Sequence, residues 1–293
     1  MFKWLKTQFF FIHHLFKLED QLANSLSFVV GVILAFGGIP PLSLSLLYGL
    51  VAVCCALLGI NLLNHITDVE IDRINKPHRP LPSRKMKEGT AILITAFLFT
   101  LSCVTAILVS FPVFFLTFLY IFLGVLYSAE PLRLKERFLV NNLAVAVFYN
   151  FINFLIGWSI FQPIFAAPYP LLILLFTYDF IAINSKDYHD LAGDKEFGVK
   201  TIVSLFGVEN AMKIDKGAHF AIQITFILLA LLGFLPSYIL AFSIITLVFV
   251  FMIFLDLSHN KNFMRFYHMS FGLHIFFRIL ILILFFTHIL GLM

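Results

Sequence analysis

Uninterrupted apolar blocks, each about 18 to 25 residues long, follow one another along nearly the whole chain. A helix of that length crosses roughly 30 Å of hydrocarbon while satisfying its own backbone hydrogen bonds. The pattern predicts an all-α membrane protein with about nine transmembrane helices, at 21–38, 42–66, 89–111, 113–129, 139–161, 168–187, 217–235, 237–256 and 268–291. Turn chemistry marks the breaks: Gly37-Gly38-Ile39-Pro40-Pro41, Pro112, Gln162-Pro163 with Pro168 and Pro170, and Pro236. With 61% hydrophobic and 12% charged residues, the composition excludes a soluble globular domain. The 38 Phe residues read as lipid-facing filler. Cys54, Cys55 and Cys103 lie inside apolar blocks without metal-ligand spacing and give no sign of an oxidising compartment.

Residues 1–20 carry Lys3, Lys6, aromatic residues and His13-His14 without a small-residue cleavage site. They read as an interfacial amphipathic segment, and 21–293 as a single polytopic domain. All but one of the 20 Lys and Arg residues fall in or at the edge of connections on one side of the predicted spans; the remaining one, Arg278, lies within span nine. The positive-inside rule puts the N-terminus and those connections in the cytoplasm, and an odd number of spans leaves the C-terminus outside. The expected location is the cell or inner membrane. Topogenic signals and anionic lipid account for most of this one-sided basic surface, but not for the basic residues interleaved with the acidic clusters, which could bind an anionic substrate; no nucleic-acid motif occurs.

The chemistry-bearing residues gather in two of these connections. Asn64, Asp68 and Asp72 are spaced i, i+4, i+8, one stripe on a helix continuing from span two. Asp187, Asp190 and Asp194 are spaced i, i+3, i+7 at the end of span six, again one face. Ionised carboxylates beside hydrocarbon are expensive and point to function. A lone D-x-x-x-D at a helix end is usually a solvated face, but two such sets at matching span ends, both mixed with basic residues, favour a site. Mg²⁺ suits them, since it takes one or two carboxylates, water and substrate phosphates. Glu70 is expected to point away from that stripe.

Three stretches stand out in order along the chain. N-H-I-T-D-V-E-I-D-R-I-N-K-P-H-R-P-L-P-S (Asn64 to Ser83) resembles the first Asp-rich motif of the UbiA superfamily of intramembrane prenyltransferases, and Y-S-A-E-P-L-R-L-K (Tyr127 to Lys135) its second-loop signature. K-D-Y-H-D-L-A-G-D-K-E-F-G-V-K-T-I (Lys186 to Ile202) resembles the second Asp-rich motif. The resemblance implies a UbiA-like bundle with a cytoplasmic cap over the active site. It implies a Mg²⁺-dependent transfer of a prenyl group from an isoprenyl diphosphate to a hydrophobic or aromatic acceptor. It assigns metal binding to Asn64, Asp68, Asp72, Asp187, Asp190 and Asp194. Arg79, Lys135 and Lys186 become candidate diphosphate cations, and Tyr127 a neighbour of the reacting allylic carbon. The run through Arg79 resembles members acting on glycerol-phosphate lipids, chlorophyllides or homogentisate-like rings, so the acceptor is expected to be a prenylglyceryl phosphate or a quinone precursor. The family usually has an acid directly after the first Asn; here His65 stands there, expected in the second shell or against the acceptor.

Outside the motifs, Asp179 could line the same cavity or join helices, and Arg278 could pair with Asp179 or Asp256, or snorkel toward a headgroup. Asn141, Asn142, Asn150 and Asn153 suit interhelical hydrogen bonds better than catalysis; of these Asn150, with Tyr149, is also a candidate for the cavity wall, Asn150 against substrate. His78 and His189, in the motif loops, suit solvent as well as function. A secondary transporter would carry acids near the midplane and matched broken spans, whereas these acids cluster at one surface. The D-G-x-x-A-R run of a CDP-alcohol phosphotransferase is absent. A member that has lost catalysis and acts as a binding protein is the alternative that His65 supports.

Overall fold

Apolar blocks bounded by capping residues become helices wherever the chain is described. The structure, a computed structural model, describes residues 18–182, 184–235, 237–260, 272, 275–284 and 286–287. The side chains of Tyr149, Lys186, His189 and Asp256 fall outside that description, as does the expected interfacial segment up to residue 17. The helices are α1 (Leu18–Phe36), α2 (Leu44–Thr67), α3 (Val69–Asn75), α4 (Glu88–Val109), α5 (Phe111–Ser128) and α6 (Val140–Trp158). They continue with α7 (Tyr169–Ala182), α8 (Asn184–Glu196), α9 (Ile202–Leu231), α10 (Ser237–Asn260) and α11 (Ile275–Leu284). No strand occurs among the described residues.

Among those residues α2, α4, α5, α6 and α9 are long and apolar enough to cross a membrane. Shorter apolar stretches at Asn24–Phe36, Tyr169–Phe180, Ile239–Met252 and Ile275–Leu284 fall at the first, sixth, eighth and ninth expected spans. Local signals set several starts. Ser43 Oγ accepts from Leu46 N–H (3.2 Å) ahead of α2, and Ser110 Oγ from Val113 N–H (3.4 Å) ahead of α5. Helix α9 begins at Ile202, well before the expected 217, because Thr201 and Ser204 form a reciprocal capping box. It is interrupted at Gly207 (φ 75°, ψ 163°).

Helix α2 packs along α4, where Ser102 Oγ donates to the Ala52 carbonyl (2.7 Å). Helix α1 crosses the last turns of α6 at backbone distance. A Cβ on Gly31 would lie 2.2 Å from the Phe154 carbonyl oxygen, and one on Gly157 2.2 Å from that of Phe28. Only glycine on both helices permits the approach, as small residues do in membrane bundles. Phenylalanine serves both surfaces: Phe28, Phe154, Phe242 and Phe277 are buried, whereas Phe97, Phe111, Phe115 and Phe118 face outward. Large apolar side chains facing outward suit hydrocarbon rather than water. The three cysteines are free thiols.

A polar knot ties the bundle together. Arg278 of α11 donates to Ser27 Oγ of α1 (2.9 Å), to Asn150 Oδ1 and to Asp179 Oδ2 of α7 (3.3 Å), all with buried side chains. Ser27 also donates to Asn150 Oδ1. Of the expected alternatives, Arg278 therefore pairs with Asp179, and Asp179 joins helices. Asn150 lies in a π-helical turn, Val147–Ile152, which interrupts the α-helical bonding of α6. Asn142 Nδ2 donates to the Phe180 carbonyl (2.9 Å) and Asn153 Nδ2 to that of Asn24 (3.3 Å), so both make the expected interhelical bonds.

Candidate active site

The first acidic stripe does not lie on one continuous helix. Helix α2 stops at Thr67, and Asp68 (φ −107°, ψ 13°) bends the chain into α3. The Thr67 carbonyl accepts from Arg133 Nη1 (3.2 Å), and Thr67 Oγ1 donates back to the Asn64 carbonyl (3.1 Å). Both contacts divert backbone acceptors at the helix end. The ladder nonetheless passes through the bend, from Asp68 N–H to the Asn64 carbonyl (3.1 Å) and from Asp72 N–H to the Asp68 carbonyl (2.7 Å). Asn64, Asp68 and Asp72 therefore stay on one side. Glu70 points away and pairs in the open with Arg73 (2.6 Å).

The second stripe lies on α8, and the two polar helices α3 and α8 pack against each other. Between them is a cavity of about 100 Å³, several times what one water needs. Its wall includes Asn64, Asp68, Asp72, Arg79, Tyr127, Lys135, Asp187, Asp190 and Asp194. All three sequence stretches thus meet at one place, although the first and last are more than a hundred residues apart. Asp72, Asp187 and Asp194 are buried.

Cations sit on three of these carboxylates. Lys135 Nζ donates to Asp68 Oδ1, Asn64 Oδ1 (2.8 Å) and Thr67 Oγ1 (3.0 Å). Burial pushes the Lys135 ammonium below the usual lysine range, and the Asp68 carboxylate opposes that shift. Arg79 Nη1 donates to Asp72 Oδ2 (2.6 Å), and Lys76 Nζ pairs with Asp190 Oδ1. Arg133 adds a longer contact to Asp68 (3.3 Å) and pairs with Glu136 (2.6 Å). Tyr127 Oη donates to Asn141 Oδ1 (2.7 Å), and its ring meets Phe148 edge-on at 5.9 Å. Negative and positive groups alternate around one polar hollow, an arrangement that can accept a metal ion and a polyphosphate together.

The other expected residues take up varied positions. Asn150 does not line the cavity; its side-chain Oδ1 accepts from Ser27 and Arg278 within the bundle. Asn141 makes the expected interhelical bond, accepting from Tyr127, and also lines the cavity. His65 is fully buried and is not part of the wall, and His78 is exposed. The side chains of Lys186, His189 and Tyr149 lie outside the described residues. Sequence reasoning also passed over Asn75, Lys76 and Arg133. Charge pattern alone does not single out Lys76 or Arg133 among the one-sided basic residues, and nothing in the spacing of Asn75 marks it.

The sequence profile of the UbiA prenyltransferase family matches residues 25–286. The digeranylgeranylglyceryl phosphate synthase of Sulfurisphaera tokodaii is 31% identical over 250 residues, 83% of each chain. The probable homogentisate phytyltransferase 2 of Oryza sativa is 29% identical over 63% of this chain and 51% of its own length. In fold, the chain is similar to a UbiA homologue from Archaeoglobus fulgidus bound to DMAPP and Mg²⁺. The TM-score is 0.69 at 20% identity, covering 92% of this chain and 98% of that one.

Proposed function

Because this chain belongs to the UbiA prenyltransferase family, we propose that it transfers a polyprenyl group from an isoprenyl diphosphate to a lipid or aromatic acceptor, releasing diphosphate with Mg²⁺ dependence. The observation that carries this reading is the convergence of both acidic sets and their basic partners on one cavity. It acts within a cell or inner membrane, spanned about nine times, with the cavity and N-terminus cytoplasmic and the C-terminus outside. Helices α3 and α8 form the cap over the cavity.

The residues present fit Mg²⁺. The donors are oxygens, from Asn64, Asp68 and Asp72 on one side and Asp187, Asp190 and Asp194 on the other. Among the described residues no group of three acids, histidines or cysteines is drawn together as a preformed cage. Mg²⁺ does not demand one, because it binds through one or two carboxylates and completes its octahedron with phosphates and water. Bound there, it neutralises charge on the departing diphosphate.

The chain's own residues do the rest. Arg79, Lys135 and Lys76 exchange their carboxylate partners for phosphate oxygens, which places cations where leaving-group charge develops. Lys186, in the same stretch, is assigned the same role. Tyr127, held by Asn141 and Phe148, faces the allylic carbon and shields the forming cation from water. The cavity has room for a polar head, so the prenyl chain extends among the helices or into lipid.

A geranylgeranyl-type donor with a prenylglyceryl phosphate acceptor is favoured by the synthase relative matched over 83% of both chains. A quinone-precursor ring is the second reading, supported by the phytyltransferase relative. The test offers both acceptor classes with labelled geranylgeranyl and farnesyl diphosphate to the purified protein and identifies products by mass spectrometry. A prenylated product from either class supports the proposal; no product from any pairing contradicts it.

A further inference from the structure

The two acidic helices are joined by a side chain that belongs to neither acidic set. Asn75 is the last residue of α3, one position before Lys76. Its Nδ2 donates to the Asp190 carbonyl (3.0 Å), and its Oδ1 accepts from Gly193 N–H (2.8 Å). A carboxamide donates and accepts from one rigid end, so it can bridge a carbonyl and an N–H on the same stretch of helix. Both bonds are to the main chain of α8. They therefore fix the helix itself rather than one of its side chains.

Gly193 is shaped to receive that amide. A Cβ there would lie 2.6 Å from Asn75 Nδ2 and 2.9 Å from its Cγ and Oδ1. On the α9 side, Tyr188 Oη donates to the buried Asp215 carboxylate (2.9 Å). Helix α8 is thus gripped at its backbone by α3 and through Tyr188 by α9. Rotation matters here, because a helix turns about 100° per residue. A slip of one residue would carry Asp187, Asp190 and Asp194 off the cavity wall.

We infer that Asn75 is a positioning residue that sets the spacing and rotation between the two acidic helices, and so the geometry in which Mg²⁺ and diphosphate are held. The inference rests on the prenyltransferase reading above. It differs from a general stabilising role in what it predicts for binding.

The test uses the full chain in detergent with four variants: Asn75→Leu, Asn75→Asp, Gly193→Ala and Asn142→Leu. The last removes a comparable interhelical amide bond away from the cavity. Readouts are the unfolding midpoint, hydrogen exchange over residues 184–197, and Mg²⁺-dependent affinity for unreactive geranylgeranyl S-thiolodiphosphate. Asn75→Leu should speed exchange in that segment and weaken binding roughly tenfold, the expected loss from two hydrogen bonds. Gly193→Ala should act in the same direction. Asn75→Asp, which still accepts from Gly193, should fall between. Asn142→Leu should lower the midpoint to a similar extent with wild-type binding. Should Asn75→Leu fail to fold, Gly193→Ala carries the same prediction. Wild-type binding in Asn75→Leu and Gly193→Ala, or equal weakening in Asn142→Leu, overturns the inference. Wild-type protein that binds no analogue overturns the prenyltransferase reading itself.

Discussion

Arg79 Nη1 lies 2.6 Å from Asp72 Oδ2, with both side chains buried at the edge of the cavity. Each satisfies the other, and under the proposed function both would turn to a metal–diphosphate complex. Asp72→Asn leaves the Arg79 charge buried and uncompensated, so it should cost about 3–5 kcal/mol of stability. Replacing both, as Asp72→Leu with Arg79→Met, should cost clearly less than the two single changes added together. Thermal unfolding in detergent measures this, and every one of these variants should lose donor binding.

Tyr127 is held in two ways that can be separated. Tyr127→Phe removes only the hydrogen bond to Asn141 and keeps the ring against Phe148. The expected loss is about 0.5–1.5 kcal/mol, roughly a two- to tenfold fall in single-turnover rate. Tyr127→Ala removes the ring as well and should fall much further, with donor affinity changing less than rate in both.

The glycine contact between α1 and α6 carries a packing prediction. Gly157→Val sets a branched side chain against the Phe28 carbonyl and should destabilise by at least about 3 kcal/mol. Gly89→Ala in the first turn of α4 meets open space and should stabilise by about 0.4–1 kcal/mol. Unfolding midpoints of the two variants should move in opposite directions.

Asn150 separates the bundle from the site. Asn150→Leu strips an acceptor from the buried Arg278 and should lower stability. Because Asn150 does not line the cavity, donor affinity of the folded fraction should stay at the wild-type value. A selective loss of donor binding in this variant would return Asn150 to the substrate site.

Much of this was legible in the sequence, and the reasons are physical. Span length follows from bilayer thickness, so helices α2, α4 and α5 fall close to where the apolar blocks ended. Residues four apart stack on any helix, so Asn64, Asp68 and Asp72 remained together even though the helix breaks at Asp68. Spacing speaks only within an element, however. It could not reveal that Asn75 reaches the backbone of Asp190 and Gly193, or that Arg133 takes the Thr67 carbonyl. The same holds for Asn150: a polar residue in an apolar helix must find a partner, but periodicity does not say that Ser27 and Arg278 are the ones. The early start of α9 comes from the Thr201–Ser204 capping box, which lies ahead of polar residues that the apolar-block pattern leaves outside a span.

The proposed function requires the two acidic sets to hold a metal–diphosphate complex for prenyl transfer. The most direct measurement is diphosphate release from geranylgeranyl diphosphate by the purified protein with acceptor present, run with Mg²⁺ and with chelator. Wild-type protein should release diphosphate only with Mg²⁺, while folded Asp68→Ala and Asp187→Ala should each release essentially none. Near-normal release by both variants, or release from wild type that survives the chelator, would contradict the account.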